Sequence, residues 1–342
     1  MNPLNPLGKV VAAARGPVQA VNKALTRPAA HTPHALARML RRGSLADAVR
    51  GRIVLITGAS SGIGHATAVR IGAAGGTVVL VARGEEKLRA TAAEVEAAGG
   101  TAHVHPCDLT DMEAIDTLVA DVLEQHVRVD VLVNNAGRSI RRSLALSYER
   151  FHDFERTMQL NYFAPLRLML GILPGMRERR FGQVVNISSI GVQTKVPRFG
   201  AYIASKAALD TLSDAFQAET QDEGVRFTTV HMPLVRTPMI APTTLYDNFP
   251  TLTPDEAGAV VCDAIVSRPR RFSPAFGRVA SFADSITPEI MDFVRNQGFK
   301  MFPDSAAAKG RPPAPGDGEQ GRADEESVAR RVFVEFTNGN HW

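Results

Sequence analysis

The sequence predicts an α/β fold, a doubly wound parallel sheet with helices on both faces. Three observations carry this. Six short apolar runs alternate with five stretches of helical period, each ten residues or longer, the pattern of parallel strands joined by crossover helices. The first run ends in Thr57-Gly58-Ala59-Ser60-Ser61-Gly62-Ile63-Gly64, a glycine-rich turn that opens into a helix. The 342 residues, 44% hydrophobic and 22% charged, supply the core of an ordinary globular protein.

The first strand, Ile53–Ile56, is wholly apolar, as a strand covered on both faces should be. In the turn after it, Gly58 permits the tight bend and Gly62 lets the backbone approach a pyrophosphate. Gly64 brings the helix from Ile63 to Ala74 close to the strand. A pyrophosphate then meets the free N–H groups and the positive dipole end of that helix. The spacing is Gly-x-x-x-Gly-x-Gly, a Rossmann-type dinucleotide turn. The second strand, Thr77–Val81, runs into Ala82-Arg83. NAD enzymes place an acid near this point for the ribose 2′-hydroxyl. An arginine instead suits a 2′-phosphate through charge-assisted hydrogen bonds, so NADP is the expected cofactor. The helix Glu85–Ala98, the strand Ala102–His105 and the helix Met112–Gln125 continue the alternation.

The fourth strand, Val129–Val133, leads into Asn134-Asn135-Ala136-Gly137. Asparagine side chains there can brace neighbouring backbone, and Gly137 leaves room for a ligand. The helix Phe151–Arg179 holds Asn161, a poor helix-interior residue, read either as a buried functional amide or as a satisfied surface one. Pro174 should end or kink this helix. The fifth strand, Gln183–Ile187, delivers Ser189 to the crevice where open α/β sheets bind ligands; its hydroxyl can donate to a carbonyl oxygen or cap a helix. On the helix Ala201–Glu223, Tyr202 and Lys206 share a face. An ammonium beside a phenol favours the phenolate and lowers its pKa from near 10, which fits a proton-transfer role. The sixth strand is Arg226–His231.

Beyond it, Pro238–Leu252 is irregular. Thr253, Pro254 and Glu256 form a capping-box helix start, with Val260, Val261, Ala264 and Ile265 on the inner side. Residues 277–302 form one amphipathic helix carrying Val279, Phe282, Ile286, Ile290, Phe293 and Val294. The predicted organisation is a basic arm over 1–50, a catalytic domain over 51–275, a helical extension over 276–302 and a disordered tail over 303–342.

The arm holds eight Lys/Arg and one acid, +7 against +4 for the whole chain, which leaves −3 for the rest. The basicity therefore belongs to the arm, which argues against a nucleic-acid-binding domain. Val10, Ala14, Val18, Val21 and Leu25 fall on one helical face. They suit packing on the domain or a partner subunit, or peripheral contact with a membrane through residues 1–30. Cys107 and Cys262 lack disulfide or metal-ligand spacing, which fits a reducing, cytoplasmic setting without metal. No apolar run reaches the roughly 18 residues of a membrane span.

The ordered set Thr57-Gly58-x-x-x-Gly62-x-Gly64, Asp108-Leu109, Asn134-Asn135-Ala136-Gly137, Asn161, Ser189, Tyr202-x-x-x-Lys206 and Pro233…Thr237 resembles the short-chain dehydrogenase/reductase family over about residues 51–270. The resemblance implies Tyr202 as general acid/base, Ser189 as polariser of the carbonyl, and Lys206 as the group that tunes Tyr202 and holds the nicotinamide ribose. It implies Asn161 in a water relay to Lys206, Asp108 at the adenine and Thr237 at the carboxamide. The cofactor-binding set it implies is Gly58, Ser60, Ser61, Gly62, Ile63, Gly64, Arg83, Asp108, Leu109, Asn135, Ala136, Gly137, Tyr202, Lys206, Pro233, Val235 and Thr237. Leu234 departs from the family, which has glycine after the proline. The arm, the Asn-Asn-Ala-Gly-Arg-Ser-Ile-Arg-Arg run and residues 302–310 are similar to the reductase segment of actinobacterial fatty acyl-CoA reductases.

The expected function is NADP(H)-dependent hydride transfer between nicotinamide and a carbonyl/alcohol pair of lipid metabolism. The substrate would be a lipophilic aldehyde, ketone or CoA-linked acyl derivative, and the enzyme a homo-oligomer. Arg138, Arg141 and Arg142 are either solvated or a clamp for a phosphate-bearing carrier. The alternative is a non-catalytic NADP-binding scaffold, which would have no use for Asn161, Ser189, Tyr202 and Lys206 together.

Overall fold

The computed structural model describes residues 43–240, 251–302, 304 and 307–309. The arm stripe from Val10 to Leu25, the membrane contact of residues 1–30, the loop residues Leu245, Asp247 and Phe249, and the tail from 310 to 342 lie outside them.

Seven strands form one parallel sheet in the order β3-β2-β1-β4-β5-β6-β7. They are β1 Ile53–Thr57, β2 Thr77–Ala82, β3 Thr101–Pro106, β4 Val131–Asn134, β5 Gly182–Ser189, β6 Val225–Met232 and β7 Arg271–Phe272. The order reverses at β1, where β2 lies on one side and β4 on the other. Six strands follow the expected runs within a residue or two. The seventh, β7, was not predicted: two residues are too short to show a period, and Phe272 is fixed there by pairing with Val230.

Alternating side chains feed two cores. Ile56, Leu80 and Val133 point to one face, covered by α2 (Gly62–Ala73), α3 (Glu85–Ala97) and α9 (Pro254–Ser267). Leu55, Val79 and Leu132 point to the other, covered by α4 (Met112–His126), α6 (Ala164–Glu178) and α8 (Gly200–Thr220). The Thr253 capping box at the start of α9 is present as expected.

Five expectations need correction. The domain starts before residue 51: Ser44 caps α1 (Leu45–Val49) in a capping box with Asp47, and Val49 is fully buried in the core. The long helix over 151–179 is α5 (Phe151–Met158), a π-helical segment Gln159–Phe163, and α6. Pro174 does not end α6; it lies on the exposed side, where helices curve toward solvent and tolerate a missing N–H. Residues 277–302 are two helices, α10 (Ala275–Ile286) and α11 (Pro288–Met301), because Thr287 precedes a proline and leaves the helical region at φ −134°. Their larger apolar residues face outward: Phe276, Val279, Phe282, Ile286, Ile290 and Phe293 are 51–67% exposed, while Gly277 and Ala280 pack inward. Finally, the segment after 302 is held at Asp304 and Ala308. Asp304 accepts from the Ser143 N–H at 3.0 Å, and the Ala308 carbonyl accepts from the Arg142 guanidinium.

Candidate active site

The C-terminal ends of β1, β4, β5 and β6 open onto one cleft of about 1170 Å³. At its cofactor end the glycine turn needs left-handed backbone, with φ of +66° at Gly58 and +58° at Gly62. Asn135 holds that turn. Its Nδ2 donates to the Thr57 carbonyl at 2.9 Å, and the N–H groups of Asn135 and Ala136 both donate to Thr57 Oγ1 at 3.0 Å. A Cβ on Gly64 would stand 2.4 Å from the Gly58 carbonyl oxygen, so only glycine lets α2 start this close to the strand. Ser61 at the N-cap makes no side-chain cap bond. The first N–H groups of α2, beside Ser60 and Ile63 in the cleft wall, thus remain available to an anion.

Arg83 is exposed beyond β2 and has no hydrogen-bond or ion-pair partner among the described residues. The Arg138 side chain also lines the cleft without one. Both act on Asp108, whose carboxyl is held below the usual range chiefly by the Thr110 N–H, next by the Thr110 hydroxyl, and further by the two arginines. Leu109 beside it is buried. On the opposite wall, Leu252 locks the segment after β6: its N–H donates to the Leu234 carbonyl at 2.9 Å, and Val235 bridges to it. Thr237 closes on the glycine turn, its Cγ2 3.1 Å from where a Gly62 Cβ would lie. Leu234, like Pro233 a cleft residue, does not have left-handed backbone, so its side chain is accommodated without strain.

Four residues predicted for chemistry converge at the middle of the cleft. Ser189 ends β5 and caps the short helix α7 (Ile190–Thr194), its Oγ accepting from the Gly191 N–H at 3.0 Å. It also hydrogen-bonds the Tyr202 hydroxyl. Lys206, one turn along α8 from Tyr202, is buried and donates from Nζ to the Ile187 carbonyl at 2.7 Å. Asn161 sits in the π-helical segment, fully buried. Its Oδ1 accepts from the Arg138 N–H at 2.8 Å, and its Nδ2 donates to the Arg138 carbonyl and to Ser205 Oγ, each at 2.9 Å. A Cβ on Gly137 would lie 3.2 Å from Asn161 Oδ1 and 3.4 Å from Lys206 Nζ, so both side chains meet at that glycine. Of the two readings of Asn161, the surface amide is excluded.

Two expectations about this centre change. Burial pushes the Tyr202 phenol up, only partly opposed by the Ser189 hydrogen bond, and Asp210 adds to the rise. The Lys206 ammonium donates to the Ile187 carbonyl rather than to the phenol. Lys206 itself is brought down to about 8 by burial, against an opposing pull from Asp210. The arginine trio does not act together. Arg142 is taken up by the buried Asp153 at 3.1 Å and by Ala308, and is neither solvated nor open to an anion.

Sequence reasoning missed a buried polar chain behind this centre. Asp210 Oδ2 accepts from Ser188 Oγ at 3.0 Å and meets His231 Nε2 at 2.8 Å, while His231 Nδ1 meets Ser273 Oγ at 2.7 Å. The one available signal was the position of Asp210, a further four residues along the face that carries Tyr202 and Lys206.

A profile of short chain dehydrogenases matches residues 52–246. An uncharacterized oxidoreductase of Mycobacterium tuberculosis is 59% identical over 304 residues, 87% of each chain. A fatty acyl-CoA reductase of Acinetobacter baylyi is 49% identical over 294 residues, 86% of this chain and 96% of its own. Among solved structures, a short-chain dehydrogenase from Streptomyces avermitilis superposes with a TM-score of 0.61 at 33% identity, over 72% of this chain and 97% of its own. A metagenomic short-chain oxidoreductase in complex with NADP does so at 0.57 and 34% identity, over 66% of this chain and 96% of its own.

Proposed function

We propose that this chain, which belongs to the short-chain dehydrogenase family, is an NADPH-dependent reductase of a lipophilic carbonyl compound, an aldehyde, ketone or fatty acyl derivative. The observation that carries the reading is the meeting of Ser189, Tyr202, Lys206 and Asn161 at the middle of a cleft whose cofactor end leaves N–H groups and two arginine side chains without hydrogen-bond partners among the described residues. That end fits a dinucleotide with an extra phosphate: the α2 N–H groups suit the pyrophosphate, and Arg83, with Arg138 near it, suits a 2′-phosphate.

Bound NADPH would supply the hydride. Ser189 donates from Oγ to the substrate carbonyl oxygen and holds it beside the Tyr202 hydroxyl. Tyr202 gives up its phenolic proton as negative charge develops on that oxygen, the moment at which the donor counts most. Burial disfavours the resulting phenolate, and the Lys206 ammonium, one helical turn away, offsets that cost. Asn161 keeps the Arg138 main chain, and with it Gly137, in place against Lys206.

The substrate class rests on the apolar far end of the cleft, lined by Leu160, Ile190, Val196, Phe199, Met239 and Ile240, and on the likeness to a fatty acyl-CoA reductase. The test is kcat/KM for NADPH oxidation with aldehydes, ketones and acyl-CoA thioesters of graded length. Each buried methylene is worth up to about 0.8 kcal/mol, so the value should climb several-fold per two carbons until the pocket is full. A flat profile from roughly C4 to C12, or a preference for a small polar ketone, overturns the substrate class.

A further inference from the structure

We propose that Asp210, oriented by His231, is a positioning residue that holds the Lys206 ammonium in charge and in place and ties it to the strands on either side. The proposal rests on the catalytic reading above. Tyr202, Lys206 and Asp210 stand at successive turns of one face of α8. The Asp210 carboxylate is the knot between that helix and three strand ends. Through Oδ2 it binds Ser188, the neighbour of Ser189 on β5, and His231, two residues before Pro233 at the end of β6. His231 in turn reaches Ser273 just past β7. His231 is 5% exposed, and Ser188 and Ser273 are buried. A neutral imidazole with its proton on Nε2 satisfies both contacts, donating to Asp210 and accepting from the Ser273 hydroxyl.

The other carboxylate oxygen makes the difference between a structural tie and a charge set for a purpose. Asp210 Oδ1 is buried and has no hydrogen-bond partner among the described residues, an uncommon state for a carboxylate. The titratable and charged groups facing this one are Tyr202 and Lys206 on its own helix, His231 from β6, and Arg270 from the turn before β7. Arg270 is already paired with Asp214. Lys206 has one described hydrogen bond, to the Ile187 carbonyl, for its three donors. The uncommitted negative charge of Asp210 and the under-used ammonium of Lys206 therefore complement each other, and Asp210 opposes the loss of the lysine proton that burial favours.

The experiment follows Lys206 directly in the full-length, cofactor-free protein, by NMR titration of 13C-labelled lysine, with Lys206→Met assigning the signal. Asp210→Asn keeps the shape and removes the charge. The Lys206 midpoint should move down by about one pH unit or more. Lysine must stay protonated to support the Tyr202 phenolate, so activity fades as pH rises through that midpoint. In Asp210→Asn the alkaline limb of the kcat profile should shift down by the same amount, with kcat near wild type at pH 6 and about fivefold lower at pH 8. His231→Gln keeps a donor to the carboxylate and should shift the midpoint in the same direction by less; it serves as the second variant if Asp210→Asn fails to fold. An unmoved lysine midpoint in the folded variants overturns the proposal, even if their Tm falls. A shifted midpoint in a protein that reduces no carbonyl compound sustains the charge relation and overturns the catalytic reading instead.

Discussion

Arginines in the cleft wall and arginines outside it differ in their circumstances. At the cofactor end Arg83 and Arg138 have no side-chain partners among the described residues. Elsewhere, Arg142 in the cleft wall and several arginines outside the cleft are spent. Arg142, Arg150 and Arg156 share the buried Asp153. Arg198 pairs with Asp304 at 3.2 Å and stacks on the Phe299 ring at 3.9 Å, and Arg295 pairs with Asp284. A guanidinium kept free beside a cradle of N–H groups is positioned for a ligand, whereas one sharing a carboxylate in the interior is part of the scaffold. Residue type and closeness to a cleft do not separate these cases, and an account of partners does.

The difference can be broken or sharpened by substitution. The largest effect is expected at the middle of the cleft. Tyr202→Phe should lower kcat by about 10³-fold and leave NADPH affinity nearly unchanged, since the lost proton matters only in the transition state. Near-normal turnover would remove Tyr202 from chemistry.

Next comes Arg83→Asp. It takes away a phosphate partner and puts a carboxylate where a 2′-phosphate would lie but where a 2′-hydroxyl can donate. The NADPH/NADH ratio of kcat/KM should fall by about 10²-fold. A ratio that barely moves would return Arg83 to the solvated class.

The smallest kinetic effect belongs to Arg198→Ala. The pair it breaks is 7% and 12% exposed, so stability should drop by about 2–4 kcal/mol, read as a fall in Tm, while the cofactor ratio stays put. A changed cofactor ratio with intact stability would reverse the distinction between the two groups of arginines.

Much of this was legible in the sequence. Six strands, the glycine turn and the Thr253 capping box are local patterns, and each depends on residues within a few positions of one another. The meeting of Ser189, Tyr202 and Lys206 followed from strand ends converging on one edge. What stayed hidden depends on contacts through space. The π-helical segment holds Asn161, whose side chain bonds the Arg138 main chain 23 residues away, and β7 pairs through Phe272 with β6. The rise of the Tyr202 pKa turns first on how deeply the phenol is buried, which no local pattern reveals. The pairing of Asp210 with His231 joins residues 21 positions apart that share no pattern. The outward apolar faces of α10 and α11 have the right helical period; the period alone gives no sense of which side meets the domain.

The Asn135 hydrogen bonds to Thr57 and Gly58 cross 77 to 78 residues of chain. The cradle for the pyrophosphate is therefore not shaped solely by the strand, turn and helix that spell it out. Closing a loop of that length costs about 4 kcal/mol of chain entropy before any contact repays it. During synthesis, β1, α2 and β2 emerge together, and their near-neighbour contacts can form at once. The brace arrives only when β4 has been made and has slotted in beside β1. The motif nearest the start of the domain thus reaches its working shape only once the chain has run on to β4, and a chain cut short before Asn135 would carry the phosphate-binding signature without the brace that makes it a site.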